Sequence, residues 1–190
     1  MRLKSEARSQ EFVRRNRKAG QANPAVAVVM GSDSDLPVMS ETTRILGEFG
    51  ITHEVLIVSA HRTPERCRRF ASGAAGRGIK VIVAGAGRAA HLAGVIAAHT
   101  TLPVIGVPLD AGMNGLDALL STAQMPGGVP VACMALGKAG AKNAGLLAVA
   151  ILALGDAGLA RKLVAYRAGM AREVEQKSKA LKRGGAAGRK

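Results

Sequence analysis

Three short segments hold the side chains of this sequence best suited to chemistry. The first, Gly31-Ser32-Asp33-Ser34-Asp35, sets two hydroxyls and two carboxylates behind a glycine. The second, Ser59-Ala60-His61-Arg62-Thr63-Pro64, puts a side chain that exchanges protons near neutral pH beside one that can grip an oxyanion through two parallel N–H bonds. The third, Ala84-Gly85-Ala86-Gly87-Arg88-Ala89-Ala90-His91, places a second histidine after a run of small residues. Gly31 allows a tight turn, and the Ser32 and Ser34 hydroxyls with backbone N–H groups at a helix start make a phosphate cradle. The same cluster also fits a plain helix cap, with Asp35 either the cap or a partner for ribose hydroxyls. Arg62 is a candidate phosphate clamp and His61 a candidate proton carrier. Two histidines, a cradle, an arginine and Asp35 on one rim describe acid–base chemistry on a small phosphorylated ligand.

Other chemistries are poorly served. Gly85-x-Gly87-x-x-Ala90 fits a dinucleotide fingerprint, with Asp110 25 residues on. Yet it follows the third expected strand rather than the first, and His91 falls just inside the expected helix, so a nicotinamide or flavin cofactor is not expected. Asp33-x-Asp35 is too short a set for a calcium loop, and no HxH, HExxH or Cys/His cluster occurs, so no metal site is expected. There is no GxSxG elbow and no Walker loop. His53 and His99 lack acidic or histidine neighbours and read as surface or packing residues.

Each candidate segment sits where an apolar run gives way to helical spacing. Strands are expected over residues 25–30, 54–59, 80–86, 102–108 and 128–135, apolar at nearly every position. Between them, Val38, Thr42, Ile45, Leu46 and Phe49 share one helical face that Gly50 ends. Thr63 can cap a second helix, with Pro64 at its first position and Glu65 at the positive end of its dipole. Residues 91–100 and 115–123 give two shorter helices, and 141–155 a helix so apolar that it must lie between subunits or under the sheet. A long basic helix follows, with Leu163, Tyr166, Met170 and Val174 in a stripe. Strands without alternation, joined by helices, imply a doubly wound parallel α/β sheet covered on both faces. Its strand-to-helix loops then open on one edge, which brings the three segments together.

The formal net charge of +14 is confined to the ends. Residues 1–22 hold seven Lys/Arg against two Glu, and residues 161–190 ten against two. Between them, ten basic residues face nine acidic ones. This predicts a flexible basic arm over residues 1–23, a catalytic α/β domain over 24–160, and a basic helix and tail over 161–190. Basic tails hold polyanions weakly, and with no Trp, three Phe and one Tyr the chain lacks platforms for stacking bases, so nucleic acid is not the expected partner. Two cysteines, Cys67 and Cys133, without a CxxC pair, fit a reducing cytoplasm. The most apolar stretch, residues 144–154, is about half the length a bilayer requires, so no membrane partner is expected.

The segments MGSDSD, VSAHRTP, AGAGRAAHLAG, VIGVP, NGLDALLS, QMPGGVPVA and KNAGLLA occur in an order that resembles the N5-carboxyaminoimidazole ribonucleotide mutase family, from about residue 25 to 175. The bacterial first class of that family is the nearer match. The resemblance implies a flavodoxin-like three-layer α/β/α sandwich assembled as a homo-octamer, with residues 143–154 and the long C-terminal helix as subunit contacts. It implies transfer of a carboxylate from the exocyclic N5 to ring carbon C4 of an aminoimidazole ribonucleotide in purine biosynthesis, without metal or organic cofactor. It further implies that His61 and His91 are catalytic, and that Ser32, Asp33, Ser34, Asp35, Ser59, Arg62, Gly85, Ala86, Gly87 and Arg88 bind substrate.

The pattern is not followed throughout. The family usually has GAGGAAHLPG, whereas Arg88 stands here for a glycine and Ala93 for the proline. If that glycine needs φ > 0 or faces ligand closely, Arg88 brings strain and a cation into the pocket. Residues 107–115 run one residue short of the usual form, with Asp110 at a neutral polar position, and STAQMP replaces SIVQMP. Arg88 is left to pair with the substrate carboxylate, or with Asp110 if the two loops meet. An arginine in this loop also resembles the second class, carboxylases that use carbon dioxide directly, whereas SAHRTP and QMPGGVP favour the first. The expectation is therefore an active mutase with an altered pocket. A carboxylase, a diverged paralogue that binds the ribonucleotide with another or no reaction, and a scaffold whose basic tails bind nucleic acid are the alternatives.

Overall fold

The computed structural model describes residues 23–187, with side chains through residue 181; the arm expected over residues 1–23, apart from Asn23, and the last three residues lie outside the described residues. Five strands form one all-parallel sheet: β1 (Val26–Met30), β2 (His53–Ile57), β3 (Val81–Gly87), β4 (Val104–Leu109) and β5 (Ala132–Cys133). Their order is β2-β1-β3-β4-β5. Every residue of β1 and β4 is buried, as is β3 from Val81 to Gly85. These are the strands that are apolar without alternation, and full burial of each Val or Ile contributes roughly 1.5–3 kcal/mol. The edge strand β2 departs from expectation. It is half-buried throughout, because among the described residues β1 is its only strand neighbour. The run at 128–135 yields only two strand residues. Gly128 takes φ 97 and Pro130 has no N–H to give a ladder, so pairing starts only at Ala132.

Among the described residues six α-helices accompany the strands: α1 (Leu36–Glu48), α2 (Pro64–Gly73), α3 (Leu92–Ala97), α4 (Leu116–Ala123), α5 (Gly137–Ala153) and α6 (Ala157–Ala187). In α1 the buried stripe is Met39, Thr42, Ile45 and Leu46, continued by Phe49, while Val38 is only half-buried. Gly50 ends this segment with φ 74. The Thr42 hydroxyl donates to the Ala141 carbonyl at 2.7 Å, which ties α1 to α5. A Cβ on Gly145 would stand 2.9 Å from the Ile45 Cβ, so small residues are what let these two helices meet. The α5 stripe of Gly140, Ala141, Ala144, Gly145, Ala148 and Val149 is thus buried within the chain itself. That helix begins at Gly137, earlier than its apolar run.

The opposite face carries α2 and α3. Cys67, Phe70, Ala71, Leu92, Ala93 and Ile96 form one cluster with Ala27 and Val29 of β1 and Ile82 and Ala84 of β3. Thr122 of α4 and Ala93 of α3 both crowd the space beside Gly106 of β4. The result is a three-layer α/β/α sandwich with flavodoxin-like strand order.

The chain divides into two compact units at Ile151 and Leu152. In the second, α6 starts where the Asp156 carboxylate accepts the N–H groups of Gly158 at 2.7 Å and Leu159 at 3.1 Å. Of its expected stripe, Leu163 and Tyr166 are half-buried, whereas Met170 and Val174 are exposed. No helix among the described residues is long and apolar enough to cross a membrane.

Candidate active site

β1 lies between β2 and β3, so the chain leaves it in one direction and returns on the other. Ligands in open α/β sheets bind in the crevice outside the carboxyl ends at such a switch point. A cavity of about 480 Å³ opens there, lined by residues from the loops after β1, β2, β3 and β4.

From the first loop, Gly31, Ser32, Ser34 and Asp35 face the cavity. Residues Asp33–Asp35 make a 3₁₀ turn with a capping box: Asp35 Oδ2 accepts the Ser32 N–H at 3.0 Å, and Ser32 Oγ accepts the Ser34 N–H at 3.4 Å. The Ser34 hydroxyl donates to Ser32 Oγ at 3.0 Å. Capping and cavity lining therefore coexist in the same side chains. Burial pushes the Asp35 carboxyl above its ordinary value, against the hydrogen bonds it accepts. Asp33 is exposed and stays outside the cavity, its Oδ1 taken by the Ser32 hydroxyl and the Ser34 N–H.

The second loop supplies Ser59, Ala60, His61 and Arg62. Arg62 Nη2 donates to the Gly31 carbonyl at 2.8 Å, and its backbone N–H reaches Ser59 Oγ at 3.1 Å. The guanidinium thus latches the second loop to the first. Thr63 does not cap α2 through its side chain. Its hydroxyl donates instead to the Ser59 carbonyl at 2.9 Å and accepts the Ser59 N–H at 3.2 Å, which closes the turn holding His61. Pro64 starts α2 as its missing N–H predicts.

The third loop is where the sequence expectation needs most revision. Ala86, Gly87 and Arg88 line the cavity, but Gly85 does not. Gly85 is buried in β3, and a Cβ there would collide with the Met39 side chain of α1, so this glycine serves helix-on-sheet packing. Gly87 admits the loop after β4: a Cβ would stand 2.7 Å from the Ala111 Cβ. Arg88 adopts φ 56, the left-handed region where an L side chain is strained. Although Gly87 and Ala111 bring the two loops together, Arg88 and Asp110 form no ion pair among the described residues. His91 stands at the N-cap position immediately before α3 rather than inside it.

His61 Nε2 and His91 Nδ1 are 3.0 Å apart, and their rings meet edge-on with centroids 5.0 Å apart and an interplanar angle of 82°. Both rings are exposed, and only His61 lines the cavity. His53 sits away from them, its Nδ1 2.9 Å from the Ile51 carbonyl, and His99 is exposed. Among the described residues no group of three or more His, Cys, Asp or Glu is placed to hold a metal ion. Sequence reasoning did not name Ala60, Leu92 or Ala111 as lining residues. Such side chains carry no chemical signature, and only the common loop edge of a parallel sheet pointed to them.

The AIR carboxylase family model matches residues 25–173, which include every residue lining the cavity. The chain belongs to the AIR carboxylase family. Among its relatives, the N5-carboxyaminoimidazole ribonucleotide mutase of Pyrococcus horikoshii is 56% identical over 159 residues, covering 83% of this chain and 89% of the relative. The enzyme of the same name from Bacillus subtilis is 57% identical over 141 residues, 74% of this chain and 87% of its own. The crystal structure of Treponema denticola PurE aligns with a TM-score of 0.76 at 29% identity, covering 84% of this chain and 99% of that one. The cavity of this AIR carboxylase family member therefore lies in the part of the chain that its relatives share.

Proposed function

We propose that this protein is a 5-(carboxyamino)imidazole ribonucleotide mutase, which moves a carboxylate from N5 to C4 of the imidazole in de novo purine biosynthesis. The observation that carries the reading is the placement of His61 on the same cavity as Arg62 and the Ser32/Ser34 turn. Relatives at 54–57% identity that bear the mutase name add their support.

In this reading the phosphate rests on the Ser32 and Ser34 turn near Arg62, and Asp35 meets the ribose hydroxyls. The base then extends toward His61. The substrate N-carboxylate is a carbamate. A proton delivered to its nitrogen breaks the C–N bond and frees carbon dioxide. The electron-rich ring carbon C4 attacks that carbon dioxide, and removal of the C4 proton restores the aromatic ring. One proton is given and one is taken, so a single histidine can return to its starting state. Trapping carbon dioxide beside the ring supplies the proximity that makes recapture faster than escape. Ala86, Gly87 and Ala89 wall that part of the cavity with small apolar surface. The scheme balances with protons alone and calls for no cofactor.

The enzyme is further proposed to work in a reducing cytoplasm as a homo-oligomer, an octamer by resemblance to its family, with residues 24–160 as the catalytic domain. Both cysteines are free, and large apolar side chains such as Met113, Leu154 and Val164 are 75%, 90% and 71% exposed, as surfaces meant for other subunits would be.

Arg88 favours one rival, a carboxylase that draws carbon dioxide from solution. The two are separated by turning over substrate with a ¹³C-labelled N-carboxylate in unlabelled bicarbonate. Retention of label at C4 is the expected result. Washout, with a rate that rises with bicarbonate, would establish the carboxylase. Absence of turnover from either the carboxylated or the uncarboxylated ribonucleotide would overturn the functional reading.

A further inference from the structure

Arg88 combines features that ordinary packing does not explain. Its backbone is held at φ 56, a conformation costing a non-glycine residue roughly 1–2 kcal/mol. The residue lines the cavity and is exposed, with no ion pair or side-chain hydrogen bond among the described residues. The acidic candidate on the neighbouring loop, Asp110, does not pair with it, although the loops bearing the two residues touch through Gly87 and Ala111.

Arg62, the other guanidinium on the cavity, is differently placed. Its Nη2 and Nε are engaged by the Gly31 carbonyl and Ser59 Oγ, so it acts as much as a latch as a clamp. The two arginines also sit on different loops, Arg62 beyond β2 and Arg88 beyond β3, with β1 between those strands. Among the described residues, Asp35 is the one carboxylate lining the cavity, and its Oδ2 already accepts the Ser32 N–H. The cavity therefore sets two guanidiniums against one carboxylate, a setting for a ligand with two separate anionic groups.

We propose that Arg88 is the carboxylate-recognising residue of this cavity, pairing with the carboxylate that moves between N5 and C4 while the Ser32/Ser34 turn and Arg62 hold the phosphate. The assignment rests on the mutase reading. A guanidinium matches a carboxylate through two parallel N–H bonds, and this fork gives Arg88 a specificity role that a glycine at the same position cannot have. The positive φ then has a physical consequence. It holds an arginine at a place where the backbone alone would select glycine.

The test is calorimetric binding of two ligands, aminoimidazole ribonucleotide and its C4-carboxylated form, to wild type, Arg88→Gln and Arg88→Lys. Melting temperatures serve as the folding control. Arg88→Gln should weaken the carboxylated ligand by about 10- to 100-fold, the range for a hydrogen bond to a charged group, and leave the uncarboxylated ligand within about threefold. Arg88→Lys, which keeps the charge but loses the fork, should fall between. Equal losses for both ligands, or loss for neither, would overturn the assignment and leave the mutase reading standing. Failure of wild type to bind either ligand would overturn the mutase reading itself.

Discussion

His61 Nε2 lies 3.0 Å from His91 Nδ1, across 30 residues of chain. The contact is a consequence of topology. His61 follows β2 and His91 follows β3, and a parallel sheet delivers both loops to one edge. One ring nitrogen must donate and the other accept, so His91 fixes both the orientation and the tautomer of the ring that faces the cavity. His91→Ala should lower kcat about 10- to 100-fold with little change in KM, and His91→Gln, which can still bond to His61, should recover part of it. Equal kcat for the two variants would remove the positioning role.

Arg62 is expected to act chiefly on the phosphate end of the ligand, beside its latch to Gly31. Arg62→Gln should weaken ribonucleotide binding about tenfold or more, because a charge-assisted bond to phosphate is lost together with the latch to Gly31. The matching riboside, without phosphate, should bind wild type and variant with similar affinity. A comparable loss for the riboside would place Arg62 away from the phosphate.

Asp35 sets a pH dependence whose sign is fixed by its environment. Burial raises its pKa in the folded chain above the ordinary 3.8, so the folded state binds the proton more tightly than the unfolded state. Its favourable contribution is complete below pH 3.8 and is lost as pH rises through the folded pKa. Asp35→Asn should therefore melt higher than wild type at neutral pH. The gap should narrow as melting is followed down toward about pH 4. A gap that widens on acidification would contradict the burial argument.

Arg88 at φ 56 should also be legible in stability. Arg88→Gly relieves about 1 kcal/mol of backbone strain after allowing for the greater chain entropy of glycine. Differential scanning calorimetry should find the variant melting about 2–4 °C above wild type. A lower melting temperature would mean that the arginine side chain contributes packing that outweighs the strain.

Much of this architecture could be read from residue order because each element is locally consistent. The apolar runs of β1, β3 and β4 show no alternation, and such strands are stable only when covered on both faces. The stripe of α1 and the Ser/Asp, His/Arg and Gly/His loops between elements were equally visible. What escaped was decided by contacts between distant segments. Nothing local distinguishes Gly85, which makes room for Met39, from Gly87, which makes room for Ala111. Thr63 has the composition of a cap, yet its hydroxyl finds Ser59 first. β2 ends in the apolar run Val55, Leu56 and Ile57 but lies at the edge, and the 128–135 run loses most of its pairing around Gly128 and Pro130. The His61–His91 contact likewise depends on a strand order that periodicity alone does not reveal.

The proposed carboxylate transfer depends most directly on His61 as the proton carrier. Purified wild type and His61→Asn would be given N5-carboxyaminoimidazole ribonucleotide, with turnover followed by absorbance and binding by calorimetry. The prediction is a kcat loss of about 10²–10⁴ in the variant, the usual worth of a general acid–base group, with ligand affinity kept within a few fold. Turnover by His61→Asn within tenfold of wild type, at equal affinity, would contradict it.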